Sequence, residues 1–275
     1  MSWLRTVLYG FLSGLAEFLP VSSQAHQTLA GAVFGLPESA PLRQFLIRAA
    51  CLAALWATCS RDIAKLQRDL RLAKIPRRRR TRPIDTRSIA TVRLLIMAVV
   101  PMLIGMLFYQ RAQLWINTLP ALCVTLLING VLLFIPQYAR SGNKDGRMLS
   151  RFDGVLLGLS GALSVFPGIS RMSSLHFTGS MRGADRGYTI QFALLLSVPA
   201  LIVMLIYDII AVFSGIEALS FLIILTYLLS MVAAYFGSKL AISAVRSMAI
   251  KSGFSGFAYY CWGMALISVI LYLTT

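Results

Sequence analysis

The sequence predicts an all-α polytopic membrane protein built as one domain over residues 1–275. Three observations predict it. Hydrophobic residues fill 57% of the 275 positions and charged residues only 13%, about half the charged fraction with which a soluble domain covers its surface. Apolar stretches near bilayer-spanning length recur along the whole chain. The basic residues, which give a net charge of +16, are gathered into a few short segments.

The spans read from hydropathy are about 42–60, 93–110, 116–137, 188–213, 216–236 and 254–274. No segment reads as a cleaved secretory signal, because the first apolar stretch runs into Glu17-Phe18-Leu19-Pro20 without a small-residue cleavage site. Two further apolar regions fit poorly as simple spans. Residues 3–36 are interrupted by Pro20-Val21-Ser22-Ser23, and residues 152–180 by Pro167-Gly168-Ile169-Ser170-Arg171. Proline removes a helix donor and glycine loosens the backbone. A helix that stops in mid-membrane needs protein or water around its free backbone groups. Two re-entrant helical hairpins satisfy this, with two kinked spans as the rival.

An internal repeat appears at an offset of 147. Leu12-Ser13-Gly14 returns as Leu159-Ser160-Gly161, Pro20 as Pro167, Ser23 as Ser170, and Gln44-Phe45 as Gln191-Phe192. A competing register aligns Val100-Pro101 with Val198-Pro199, but one offset serves several elements only in the first. Each half is then a broken hairpin followed by three spans: repeat one covers about 1–137 and repeat two about 152–275. Of the 26 Lys and Arg, 12 lie between Arg61 and Arg93, four in Arg140–Arg151, two in Arg182–Arg186 and three in Lys239–Lys251. That clustering follows the positive-inside rule and makes 61–92 and 138–151 cytoplasmic. It argues against a nucleic-acid partner. The halves then have opposite orientation, and inverted repeats with broken helices place a binding site where the breaks meet. The run Arg77–Arg80 serves as a topology anchor, with anionic lipid headgroups as its candidate partner. The four cysteines are scattered without ligand spacing and read as packing residues.

Ionisable residues inside a membrane are costly, so each is a functional candidate. Away from the loops the list is Glu17, His26, Arg48, Arg171 and His176, and four of the five flank the breaks. In the first break, Ser22 or Ser23 would cap the second arm, leaving backbone donors toward an anion. Ser23 and His26, three apart, share a helix face and outline a nucleophile–base pair. Glu17 suits a base or a metal ligand. In the second break, Gly168 lets backbone approach a ligand, Ser170 and Ser173 add hydroxyls, and Arg171 offers a planar fork for phosphate oxygens. Together these are the means of phosphoryl transfer. The blander readings are a structural Glu17–Arg171 pair, capping serines, a core histidine at His26 and an Arg48 that snorkels to the headgroups.

The stretches GLAEFLPVSSQAH (Gly14–His26), PGISR (Pro167–Arg171) and MRGADRGYTIQFALLLSVPA (Met181–Ala200) resemble the undecaprenyl-diphosphate phosphatase family of the bacitracin-resistance type. The resemblance covers nearly the whole chain. It implies removal of the terminal phosphate from a C55 polyprenyl diphosphate at the outer face of a bacterial plasma membrane. It also implies a divalent cation, Mg or Ca, and a role in recycling the lipid carrier for cell-wall synthesis. It implies that Glu17, Ser23, His26 and Arg171 are the catalytic set and that Ser170 contacts substrate; Ser22, Gly168 and Ser173, read from the breaks themselves, complete the expected substrate-binding set. Glu17 is the candidate metal ligand. Relative to the family pattern, Ser13 replaces an acidic or amide residue, Met172 and Ser173 replace Ser-Gly, and Leu175 replaces a threonine. That thinning leaves a non-catalytic polyprenyl-phosphate carrier or flippase as the second expectation. A homodimer is left open.

Overall fold

The computed structural model describes residues 3–36, 40–80, 82–116, 118–139, 142–215, 220–251 and 253–274. The described residues form helices α1 (Trp3–Phe18), α2 (Ser23–Phe34), α3 (Pro41–Ala73), α4 (Thr86–Met106), α5 (Tyr109–Ile116) and α6 (Leu119–Phe134). After a connecting loop come α7 (Arg151–Ala162), α8 (Arg171–Met181), α9 (Arg186–Ser214), α10 (Phe221–Lys251) and α11 (Gly256–Thr274). Among the described residues, six stretches are long and apolar enough to cross a membrane: α3, α4, α6 with the turn after it, α9, α10 and α11. They correspond one for one to the six spans read from hydropathy.

Three details differ from that reading. Helix α3 runs on to Ala73, because the basic stretch after residue 60 contains no helix breaker before Pro76. Helix α10 runs to Lys251, so Lys239 and Arg246, expected in a polar connection, are helical. A short helix, α5, fills the gap between the second and third spans. Ser141 and Glu217 lie outside the described residues.

Local signals explain the helix starts. Pro41 occupies the first turn of α3, where its missing N–H costs nothing. Asp85 caps α4 by accepting from the Arg87 N–H at 2.9 Å, and Asp185 caps α9 by accepting from the Tyr188 N–H at 2.8 Å. Ser150 and Asp153 form a reciprocal capping box at α7. Gly35, at φ 62°, ends α2 in the left-handed conformation.

The helix pairs are reciprocal. Helix α1 packs along α10 and folds back on α2; α7 packs along α4 and folds back on α8. Helices α3 and α9 face each other, as do α6 and α11. Small residues let the backbones approach. A Cβ added at Gly14 would meet the Ala234 carbonyl of α10, and one at Gly158 would meet the Ala98 carbonyl of α4. Between apolar surfaces that lipid could equally cover, close packing of this kind holds helices together. At about 1.5 Å per residue, the 16 residues of α1 rise about 24 Å and the 12 of α2 about 18 Å. Each is shorter than a hydrocarbon core of about 30 Å.

Candidate active site at the meeting of two broken helices

The α1–α2 break and the α7–α8 break touch. The Gly168 N–H donates to Ser22 Oγ at 3.0 Å, and Ser170 Oγ donates to the Leu19 carbonyl at 3.3 Å. Ser22 has a positive φ of 68°, rare for a residue with a Cβ, and its hydroxyl is held by the opposite break. Gly168 has φ 99°, and a Cβ there would strike the Thr125 side chain, so glycine is required on both counts.

Asn129 on α6 ties the two breaks together. Its Oδ1 accepts from the Ser170 N–H at 2.8 Å and from the Ser173 hydroxyl. Its Nδ2 donates to the Pro20 carbonyl at 3.1 Å and to Cys261 Sγ at 3.2 Å. A fully buried amide thus satisfies a donor freed by one break and an acceptor freed by the other. Sequence reading missed it. The signal was present as the only asparagine of α6, set among apolar neighbours in the third span.

Within this frame, Ser23 Oγ donates to Glu17 Oε2 at 2.6 Å, and Glu17 Oε1 faces Arg171 Nη1 at 3.8 Å. Arg171 is 6% exposed, its Nη2 lies 3.9 Å from Met204 Sδ, and its Nε is buried without a hydrogen-bond partner. At the junction of the breaks the protein therefore presents one carboxylate, one hydroxyl and a guanidinium with unused donor capacity.

His26 differs from expectation. Its Nδ1 lies 2.8 Å from the Ser22 carbonyl and its Nε2 lies 2.7 Å from the Tyr260 hydroxyl, with the two rings stacked. A carbonyl only accepts, so Nδ1 carries the proton; in the neutral ring Nε2 accepts from Tyr260. The expected Ser23–His26 pair is replaced by Ser23–Glu17. Nor do the serines cap: Ser22 and Ser170 occupy the N-cap positions of α2 and α8, but neither side chain makes a capping bond. His176 lies edge-on to Phe254 and belongs to a different part of α8's surroundings.

Arg48 does not snorkel. It is 5% exposed, donates to Asp208 Oδ1 at 2.5 Å and to the Tyr109 hydroxyl at 2.6 Å, and interacts electrostatically with Glu17. Asp208 and Arg43 belong on the list of intramembrane ionisable residues; both fall inside spans drawn from hydropathy but were masked by apolar neighbours. Arg43 is 3% exposed and sits 4.6 Å over the Tyr9 ring. A cavity of about 700 Å³ opens at the Pro41 end of α3, with Gln24, Arg43, Arg48 and Asp208 in its wall.

Comparison with known proteins bears on this arrangement. The family model described as bacitracin resistance protein BacA matches residues 6–267. The chain belongs to the BacA family. Relatives named undecaprenyl-diphosphatase are similar over their full length. That of Methanobrevibacter smithii is 28% identical, covering 97% of this chain and 96% of its own. That of Alkaliphilus metalliredigens is 26% identical, covering 99% and 100%. Undecaprenyl-diphosphatase 3 of Bacillus cereus is 27% identical, covering 100% and 99%. The positions at which the sequence reading expects departures from the family pattern are buried: Ser13, Met172, Ser173 and Leu175 are each at most 2% exposed. Ser173 is engaged by Asn129, so it serves the frame of the junction.

Proposed function

We propose that this BacA-family protein is a membrane phosphatase that hydrolyses undecaprenyl diphosphate, or a closely similar polyprenyl diphosphate, to the monophosphate. The observation that carries the reading is the junction itself. Ser23 donates to Glu17, and Arg171 stands on the other carboxylate oxygen with a buried, unpartnered Nε. A neutral lipid would leave that guanidinium idle. A diphosphate would occupy it, with its planar fork matched to phosphate oxygens.

In this reading Arg171 holds the terminal phosphoryl group. Ser23 Oγ attacks phosphorus while Glu17 takes its proton, and the bridging P–O bond breaks to release the prenyl monophosphate. Water then cleaves the phosphoserine, Glu17 returns the proton to Oγ, and inorganic phosphate leaves. Gly168, Ser22, Ser170 and Ser173 are committed to the frame and give the substrate a fixed wall. His26, bonded at both ring nitrogens, is a positioning residue for the start of α2. No group of three or more His, Cys, Asp or Glu side chains converges among the described residues. A divalent cation, Mg or Ca, would come with the diphosphate, and Glu17 would be the protein's ligand to it.

The helix pairings, with α1 on α10 mirrored by α7 on α4, support an inverted repeat whose broken hairpins are re-entrant. In this reading the basic stretch at the Ala73 end of α3 is cytoplasmic, as the positive-inside rule favours, and the cavity opens toward the outer face. Arg80, Arg82 and Arg93 line an open groove of about 930 Å³ with Ile84 and Ile89, which suits anionic headgroups. The deciding experiment is phosphate release by purified protein from C55 diphosphate, with Mg²⁺ or Ca²⁺ and with chelator. Turnover that Glu17→Gln abolishes supports the reading. Movement of lipid across vesicles without phosphate release would favour a carrier.

A further inference from the structure

We propose that Tyr260 on α11 is a positioning residue of the junction: its hydroxyl acts through His26 to fix Ser22 and so aims Ser23 at Glu17. The consequence for rate rests on the phosphatase reading. The contacts form a chain. Tyr260 Oη lies 2.7 Å from His26 Nε2, His26 Nδ1 lies 2.8 Å from the Ser22 carbonyl, and Ser22 Oγ accepts from the Gly168 N–H at 3.0 Å. One hydroxyl on α11 is thereby linked to both breaks. The direction of each bond is fixed. A carbonyl cannot donate, so Nδ1 carries the ring proton and the lone pair of Nε2 accepts from the phenol. A partner that donates to Nε2 selects the tautomer that holds Ser22.

Ser22 needs holding for two reasons. Its φ of 68° lies in the left-handed region, which a residue with a Cβ keeps only where its surroundings over-determine it. Its side chain makes no cap on α2. The first turn is closed at its carbonyl instead, which accepts from the His26 backbone N–H at 3.3 Å as well as from the ring. Ser23, the next residue, sets its Oγ 2.6 Å from Glu17, so rotation at Ser22 displaces that hydroxyl first. The blander role for a tyrosine here is an interfacial aromatic, and the neighbouring Tyr259 fits it, packing edge-on against Phe134 and Trp262. Tyr260 does not. It is 46% exposed on a helix of membrane-crossing length, yet its ring stacks on His26 within 11° of parallel and its hydroxyl turns inward to the imidazole. Turned the other way, that hydroxyl would face hydrocarbon unpaired. Cys261, the residue after it, meets Asn129 Nδ2 at 3.2 Å. Helix α11 therefore supports the first break twice, through His26 and through Asn129.

The test is Tyr260→Phe, which keeps the ring and removes the hydroxyl, in the purified full-length protein in detergent. Phosphate release from C55 diphosphate should fall about tenfold in kcat with KM within about twofold, since Arg171 keeps its hold on phosphate. Tyr259→Phe should match wild type. Heteronuclear NMR of the imidazole nitrogens gives a readout that a merely structural role would not move. The chain has two histidines, so His176→Gln assigns the signals of His26. Wild type should show a protonated Nδ1 and a hydrogen-bonded, unprotonated Nε2. Tyr260→Phe should shift the Nε2 resonance toward that of a free acceptor. A proton on Nε2 in wild type overturns the proposal, whether or not the variant folds. So does a folded Tyr260→Phe with wild-type kcat, a loss confined to KM, or a loss of rate with the His26 resonances unmoved. No phosphate release by wild type counts against the phosphatase reading, and the Nε2 resonance alone then decides whether Tyr260 holds His26.

Discussion

Replacing Asn129 with alanine should disable the protein without touching any residue that meets phosphate. The substitution removes an acceptor from the Ser170 N–H at 2.8 Å and from the Ser173 hydroxyl, and a donor to the Pro20 carbonyl at 3.1 Å. Ser173 keeps the Ser170 carbonyl at 2.9 Å as a partner. The Ser170 N–H loses its partner and the Pro20 carbonyl keeps only the long contact from Cys261 Sγ at 3.9 Å, and each group left so in a buried setting costs about 1–3 kcal/mol. The sum is about 2–6 kcal/mol, a large part of the stability of an ordinary domain. Because Asn129 bonds to both breaks, its loss should also let Glu17 and Arg171 drift apart. A misplacement of about 1 Å costs roughly a hundredfold in rate. Thermal unfolding in detergent and phosphate release from C55 diphosphate measure the two effects. A variant that unfolds within about 1 kcal/mol of wild type and keeps its turnover would refute the view that this amide holds the junction.

Arg171→Lys should fold and lose about a hundredfold or more in phosphate release, since an ammonium keeps the charge but not the fork; full activity would remove Arg171 from the site. Glu17→Gln should lose activity comparably, because the amide cannot take the Ser23 proton, and an active variant would show that Ser23 has another base. Single cysteines at Arg79 and Ser214 in a cysteine-free background should label from inside and outside respectively, and outside labelling at Arg79 would invert the topology. Hydrogen bonds from Arg147 hold the Asp145 carboxyl in the loop before α7 below the ordinary 3.8, and Lys65 does the same for Asp85. The stability these carboxylates contribute is therefore present above that pH and lost as pH falls through their lowered values. Melting temperature should be flat from pH 7 to about 5 from this source, and Asp145→Asn should flatten any decline below about pH 4.

Apolar run length and the basic clusters were enough to draw the six spans and the two breaks, because bilayer thickness and backbone satisfaction constrain them locally. The same locality made Glu17, Ser23 and Arg171 legible, since charge and proline are conspicuous in an apolar context. What the chain order could not disclose is which groups satisfy one another across helices. Ser23 and His26 share a helix face, yet Ser23 bonds back to Glu17 while His26 reaches Tyr260, 234 residues away. Arg48 finds its partner at Asp208, 160 residues on, and Asn129 joins breaks lying on either side of it in the chain. Each buried polar group must be paired, and spacing along one helix names only the candidates. The choice among them was made by the packing of α1 on α10 and α7 on α4, which brings the two breaks into contact.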